Sequence, residues 1–262
     1  MTAEETGYIS TTVAGNVATV RVSRPPVNAI NREVGAQIRN AFESIARRSD
    51  VCAVVLTGDE MFSAGNDIRE LRGENAQNPH SIVESAKYFD ACFRTISDLT
   101  VPTIAAINGY ALGGGLMLTL YCDFRVAAED VFLGLPEINL GGVPAYGMPR
   151  LIRLIGLNKA KLMVLTGDRV PAPVAVTYGL IDILAAPAAA EHRAHELAAT
   201  IASKPKLTVA AANQTMRLGA GLPIDVAHEI DLLFAAQAAA TADRAEALQA
   251  FLEKRSPNLI GR

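Results

Sequence analysis

Up to about residue 188, hydrophobic positions alternate between short continuous runs and helix-period stripes; beyond it only helix-period stripes remain. Ala18, Val20 and Val22 alternate with Val17, Thr19 and Arg21 after a Gly15-Asn16 turn signal, which predicts a hairpin over residues 8–22. Pro25-Pro26 ends it. Val34, Ile38, Phe42 and Ile45 share one face of a helix that Asn31 can cap, and the apolar run 51–56, closed by Thr57-Gly58, predicts a buried strand. Ile82, Ala86, Phe89, Phe93 and Ile96 form a second stripe, predicting a helix over 81–97, and the run 101–107 predicts another buried strand. Residues 69–81, polar and carrying Gly73, Asn75, Asn78 and Pro79, are expected to form a mobile loop that sets access to a neighbouring site.

The second half is helical. Segments 151–155, 159–165 and 173–178, the last stopped by Gly179, precede a short strand at 181–184. Helices over 191–203, 207–218, 224–240 and 242–254 are punctuated by Pro205, Gly219, Gly221, Pro223 and Pro257. The pattern divides the chain into a mixed α/β core, residues 1–204, and a helical region, residues 205–262. Strand and helix order by itself equally fits a doubly wound sheet with a helical cap.

One stretch stands out chemically. After the 101–107 run, Asn108-Gly109 breaks the strand, and Gly113, Gly114 and Gly115 open the apolar segment 116–121: strand, glycine turn, buried helix. Glycines before a helix let backbone approach a ligand, and the unpaired first N–H groups of the helix then face it, an arrangement suited to an oxyanion. No Lys-Ser or Lys-Thr follows the glycines and their spacing is not G-x-G-x-x-G, so a phosphate cradle is not indicated. Taken alone, the glycines suit close packing of helix on strand better than a ligand site.

Composition narrows the field. A net charge of −3 without a basic tract argues against nucleic acid as a partner, and no run approaches the ~18 apolar residues of a membrane span. The acidic, polar start of the chain is unlike a signal or transit peptide and favours a cytoplasmic location. Cys52, Cys92 and Cys122 are odd in number and far apart, so buried thiols are expected. His192 and His195 stand on an exposed helix without the pattern of a metal set, and His80 falls in the polar loop; no metal is expected.

Two further stretches flank the glycine turn: Met61-Phe62-Ser63-Ala64-Gly65-Asn66-Asp67-Ile68 upstream, and Leu135-Pro136-Glu137-Ile138 with Gly141-Gly142-Val143-Pro144 downstream. In this order and spacing, with Pro26-Val27-Asn28-Ala29-Ile30, Leu165-Thr166-Gly167-Asp168-Arg169 and Phe251-Leu252-Glu253-Lys254-Arg255, they resemble the crotonase family, the enoyl-CoA hydratase and isomerase superfamily, over nearly the whole chain. The resemblance implies a spiral of repeated strand-strand-helix units, with a C-terminal helical region that builds trimers or dimers of trimers. It implies an acyl-CoA thioester as substrate, with no separate cofactor. It assigns the oxyanion-binding N–H groups to Ala64 and Gly114, and coenzyme A contacts to Val27, Ala29, Ala64, Asn66, Asp67 and Ile68. Phe251 and Lys254 correspond to residues that reach the adenine and 3′-phosphate, often from a neighbouring subunit; Lys254 equally fits a solvated helix end.

One departure matters. Hydratases of the family carry a glutamate two positions after the three glycines and a second in the Pro-Glu-Ile motif. Here the first position is Met117 and the second is Glu137. Methionine neither donates nor accepts a proton in this role, so a two-carboxylate hydration is not available, whereas one carboxylate suffices for a 1,3-proton shuttle. The expected reaction is therefore isomerisation of a 3-enoyl-CoA to a 2-enoyl-CoA, with hydration by a modified site or a non-catalytic acyl-CoA carrier as alternatives. Glu137 is expected to have a raised pKa among Met117, Leu140 and Val143. Tyr146, where the family usually has glycine-rich sequence, is expected to narrow the acyl pocket or serve as an extra acid.

Overall fold

The computed structural model describes residues 2–72 and 78–262; the centre of the expected polar loop, residues 73–77, lies outside the described residues. Strands β1 (Thr2–Thr6), β2 (Ile9–Ala14) and β3 (Val17–Val22) form an antiparallel meander. Helix α1 (Arg32–Ala46) follows, capped as expected by the Asn31 side chain accepting from the Val34 N–H, and buries Val34, Ile38, Phe42 and Ile45. Strand β4 (Ala53–Gly58), buried at every position, pairs parallel to β3. A 3₁₀ turn at Glu70–Arg72 precedes α2 (Pro79–Ser97), which Asn78 caps. Both described flanks of the expected loop thus carry helical turns.

Strand β5 (Thr103–Ile107) continues the parallel sheet, then β6 (Ala111–Leu112) leads into α3 (Gly114–Thr119). Next come β7 (Phe124–Ala128), β8 (Phe132–Gly134) and α4 (Met148–Thr166), in which Gly156 at φ 76° breaks the helix and joins the two shorter helices expected there. β9 (Arg169–Pro171), α5 (Ala172–Tyr178) and β10 (Ile183–Ala185) complete the mixed region, with Gly179 in a left-handed conformation stopping α5 as its sequence suggests. The remainder is helical: α6 (Ala190–Ala202), α7 (Lys206–Gly219), α8 (Ile224–Ala239) and α9 (Ala242–Leu252).

The large sheet runs β1-β2-β3-β4-β5-β7-β10 and a smaller one β6-β8-β9. Isolated parallel bridges, Ser63 to Ala111 and Ile30 to Asn66, extend the smaller layer toward α1. Each turn of chain therefore lays one strand in the large sheet, one extended segment in the second layer, and then a helix. β3, Ile30 and α1 make one turn; β4, Ser63–Asn66 and α2 the next; β5, β6 and α3 the third; β7, β8 and α4 the fourth. This is the strand-strand-helix spiral, and it stacks the motif loops of four turns side by side.

Helix α6 crosses β3, β4, β5 and β7, which corrects the picture of an exposed helix bearing His195. Its Ala190, Ala194 and Ala198 are fully buried, and the His195 ring is half-buried with Nε2 3.2 Å from Thr19 Oγ1. His192 does stay exposed. Helices α7 and α8 pack on each other, while Ile224, Leu233, Phe251 and Leu252 are more than 70% exposed. Such large apolar side chains lack a cover within one chain.

Candidate active site

The glycine turn is built by the second layer. Gly113 caps α3 at φ 51°, a conformation that suits only a residue without Cβ, and its N–H is held by Gly134 O. Gly115 packs on Ser63, where a β-carbon would stand 2.7 Å from Ser63 Cβ and O. The helix begins at Gly114, two residues before the apolar segment 116–121, and is six residues long. The Gly114 N–H, first of the helix, finds no acceptor among the described residues.

The facing segment corrects an expectation. The Ala64 N–H donates to Val27 O at 2.9 Å, so Ala64 has no donor left for a ligand. The bridge to Ile30 explains which N–H remains. Ile30 N–H donates to Gly65 O and Asp67 N–H to Ile30 O, both within 2.9 Å, and a parallel bridge of this kind leaves the N–H of the residue between, Asn66, pointing away. Asn66 and Gly114 thus each carry a backbone N–H without an acceptor among the described residues. Gly65 seats them together, because a β-carbon on it would lie 3.3 Å from Gly114 N. Alternation along a bridge of one residue leaves no pattern that sequence reading can detect.

Glu137 sits in a 3₁₀ turn, Pro136–Leu140, and reaches back to this turn: a β-carbon on Gly113 would stand 3.0 Å from Glu137 Oε1. Its other oxygen, Oε2, is buried without a hydrogen-bond partner among the described residues, and burial pushes the carboxyl above its ordinary pKa. The surroundings differ from those expected, since Leu140 and Val143 are 69% and 70% exposed. Shielding comes instead from the glycine turn and from Tyr146, whose charge interaction with Glu137 raises the phenol pKa further. Met117 is buried, as expected, with Sδ under Gly147.

Tyr146 is wedged between Phe89 and Phe93 of α2, with ring centroids 5.8 and 5.7 Å away, and its hydroxyl donates to Asn66 Oδ1 at 2.7 Å. Burial holds the phenol protonated far above neutral pH.

Residues 24–29 support the upstream motif. Arg24 donates to Ala29 O and to Asp67 Oδ2, both at 2.8 Å, and Asp67 also takes a bidentate pair from Arg69. These guanidinium groups hold the Asp67 carboxyl far below the usual carboxylate range. Asn28, at φ 49°, accepts from Arg24 N–H and donates to Met61 O, while Ser63 Oγ donates to Asn28 O and accepts from Gly65 N–H. Arg24 carries no sequence signal because its partner Asp67 stands 43 positions away, and Asn28 and Ser63, although inside the motifs, show their roles only through the partners Met61 O and Asn28 O that folding supplies. Ile68 is 56% exposed. Phe251 lies in the last turn of α9 and Lys254 two residues past its end, and no described contact joins them to the glycine turn of the same chain.

Two convergent backbone donors and one desolvated carboxylate can stabilise an enolate and move its proton. A model of the enoyl-CoA hydratase/isomerase family matches residues 12–262. The chain belongs to that family. Among relatives of this enoyl-CoA hydratase/isomerase family member, it is 36% identical over 246 residues to "Probable enoyl-CoA hydratase 2, mitochondrial" of Arabidopsis thaliana, covering 92% of this chain and 81% of that one. It is 34% identical over 248 residues to the short-chain-enoyl-CoA hydratase of Clostridium acetobutylicum, covering 92% and 93%. The crystal structure of an enoyl-CoA hydratase from Bacillus anthracis superposes with a TM-score of 0.91 at 33% identity, covering 97% of this chain and 100% of that one. The crotonase-type fold and the enzymatic character implied by the motifs therefore hold. Enzymes of this family act on acyl-CoA thioesters. No described helix is long and apolar enough to cross a membrane.

Proposed function

We propose that the enzyme isomerises a 3-enoyl-CoA to a 2-enoyl-CoA through the single carboxylate of Glu137. The observation that carries this is the buried, unpartnered Glu137 Oε2 beside a turn whose usual second carboxylate is replaced by the buried Met117. Glu137 takes a proton from the second carbon of the thioester. The electrons of that C–H bond pass into the conjugated enolate, whose oxygen is received by the Asn66 and Gly114 N–H groups. Glu137 then returns the proton to the fourth carbon, leaving the double bond between the second and third. Donors of this kind are worth about 3–4 kcal/mol each toward the transition state.

Coenzyme A is assigned to the rim formed by Val27, Ala29, Ala64, Asn66, Asp67 and Ile68, with Phe251 and Lys254 supplied by a neighbouring copy in a homotrimer or dimer of trimers. The exposed apolar residues of α8 and α9 support such an assembly. No separate cofactor enters the scheme.

Hydration of a 2-enoyl-CoA is the second reading, favoured by the hydratase names of the relatives. A paired assay separates the two. One sample receives a 3-enoyl-CoA and the other a 2-enoyl-CoA in isotopically labelled water, with products read by mass spectrometry. Conversion of the first without label entering a hydroxyl on the second establishes the isomerase; label in a 3-hydroxyacyl-CoA establishes the hydratase.

A further inference from the structure

The side chain of Asn66 does something its backbone does not. Its Oδ1 is held by the Tyr146 hydroxyl at 2.7 Å. The phenol is itself fixed by Phe89 and Phe93, so it offers one hydrogen to one acceptor in one place. Both oxygens overhang Gly114: a β-carbon there would collide with Asn66 Oδ1 and stand 2.5 Å from Tyr146 Oη. The Asn66 residue is only half-buried, and its Nδ2 finds no acceptor among the described residues. A carboxamide with its oxygen engaged presents two N–H donors at the other end.

We propose that the Asn66 carboxamide is a third hydrogen-bond donor to the thioester enolate, aimed by the Tyr146 hydroxyl acting as a positioning residue. Without that hydroxyl the amide is free to turn its oxygen toward the developing negative charge, which opposes enolate formation instead of aiding it. The hydrogen bond from Tyr146 therefore selects the useful rotamer. Tyr146 needs no proton transfer of its own for this, in keeping with a phenol held protonated by burial.

The inference rests on the thioester-enolate reading above but not on which reaction follows the enolate. Acetoacetyl-CoA, an enolisable 3-oxoacyl thioester, serves as the probe, and its bound enolate is titrated by ultraviolet absorbance. The wild-type protein is expected to lower the apparent pKa of the bound probe relative to the free one. Tyr146→Phe, which keeps the ring contacts, is expected to raise that bound value by about one unit, a tenfold loss of enolate stabilisation. Asn66→Ala keeps the backbone N–H and is expected to produce a similar rise, with the double variant no worse than either single one. Affinity for butanoyl-CoA, which forms no stable enolate, is the reference for ground-state binding, and in each variant it is expected to fall by less than the enolate stabilisation does.

An unchanged enolate pKa in Tyr146→Phe, or additive shifts in the double variant, overturns the inference while leaving the thioester reading standing. Failure of the wild-type protein to lower the pKa of the bound probe overturns both. A loss of butanoyl-CoA affinity equal to the loss of enolate stabilisation assigns Tyr146 a packing role and also overturns the inference.

Discussion

A β-carbon on Gly114 would collide with Asn66 Oδ1, so the backbone donors of Asn66 and Gly114 approach each other only because residue 114 has no side chain. Gly114→Ala is expected to push the Asn66 segment away and lower turnover by more than about 100-fold. The same crowding costs about 2 kcal/mol of stability. Steady-state rates and thermal unfolding read the two effects separately, and a fully active variant contradicts the donor assignment.

Glu137→Gln removes the base. Turnover is expected to fall about 10³-fold. Stability at neutral pH is expected to stay level or rise: a carboxyl whose pKa is raised in the folded chain destabilises it once the pH climbs past the unfolded value, and glutamine carries no such charge. In the wild-type enzyme the acid limb of the rate profile lies above the ordinary glutamate range, since the active form is the carboxylate. A limb at the ordinary value would mean that Glu137 is solvated in the working enzyme.

Met117→Glu restores the second carboxylate position. Water addition to a 2-enoyl-CoA is expected to increase at least about tenfold, within the range of one acid–base group. Because the site is buried, this variant is also expected to lose about 2 kcal/mol of stability. No gain in labelled hydroxyl product contradicts the inference that methionine is what withholds hydration.

Asp67→Asn breaks the pairs with Arg24 and Arg69 and is expected to cost about 2 kcal/mol, measured by denaturant unfolding. The sign with pH is fixed by the depressed pKa. The stabilisation is complete above the ordinary carboxylate value of 3.8 and is lost as the pH falls toward the lower native one, so the variant shows a flatter stability profile in acid. An equally steep profile would assign the acid sensitivity to other carboxylates.

Local patterns were legible. The α1 stripe with its Asn31 cap, the buried runs of β4 and β5, the Gly179 stop and the helical tail all follow from periodicity and capping, which act within a few residues. The short strands β6, β8 and β9, of two or three residues each, were not separated, because so few positions carry no period. The two segments 151–155 and 159–165 match the two halves of α4, and the non-helical Gly156 that separates them is a feature of the structure.

The sequence by itself determined the family resemblance, through which the spiral was expected, the helical tail, and the chemistry at hand: a glycine turn, one glutamate at 137 and a methionine where a second would stand. These are properties of residue type and order. Which amides are free was decided only by the tertiary structure. Ala64 and Asn66 are two residues apart in one motif, and nothing local tells them apart until Val27 takes the first N–H and the bridge to Ile30 turns the second outward. The Tyr146–Asn66 hydrogen bond likewise spans 80 positions. Hydrogen-bond satisfaction is settled by partners that only folding brings together, so it can be counted in space and not along the chain.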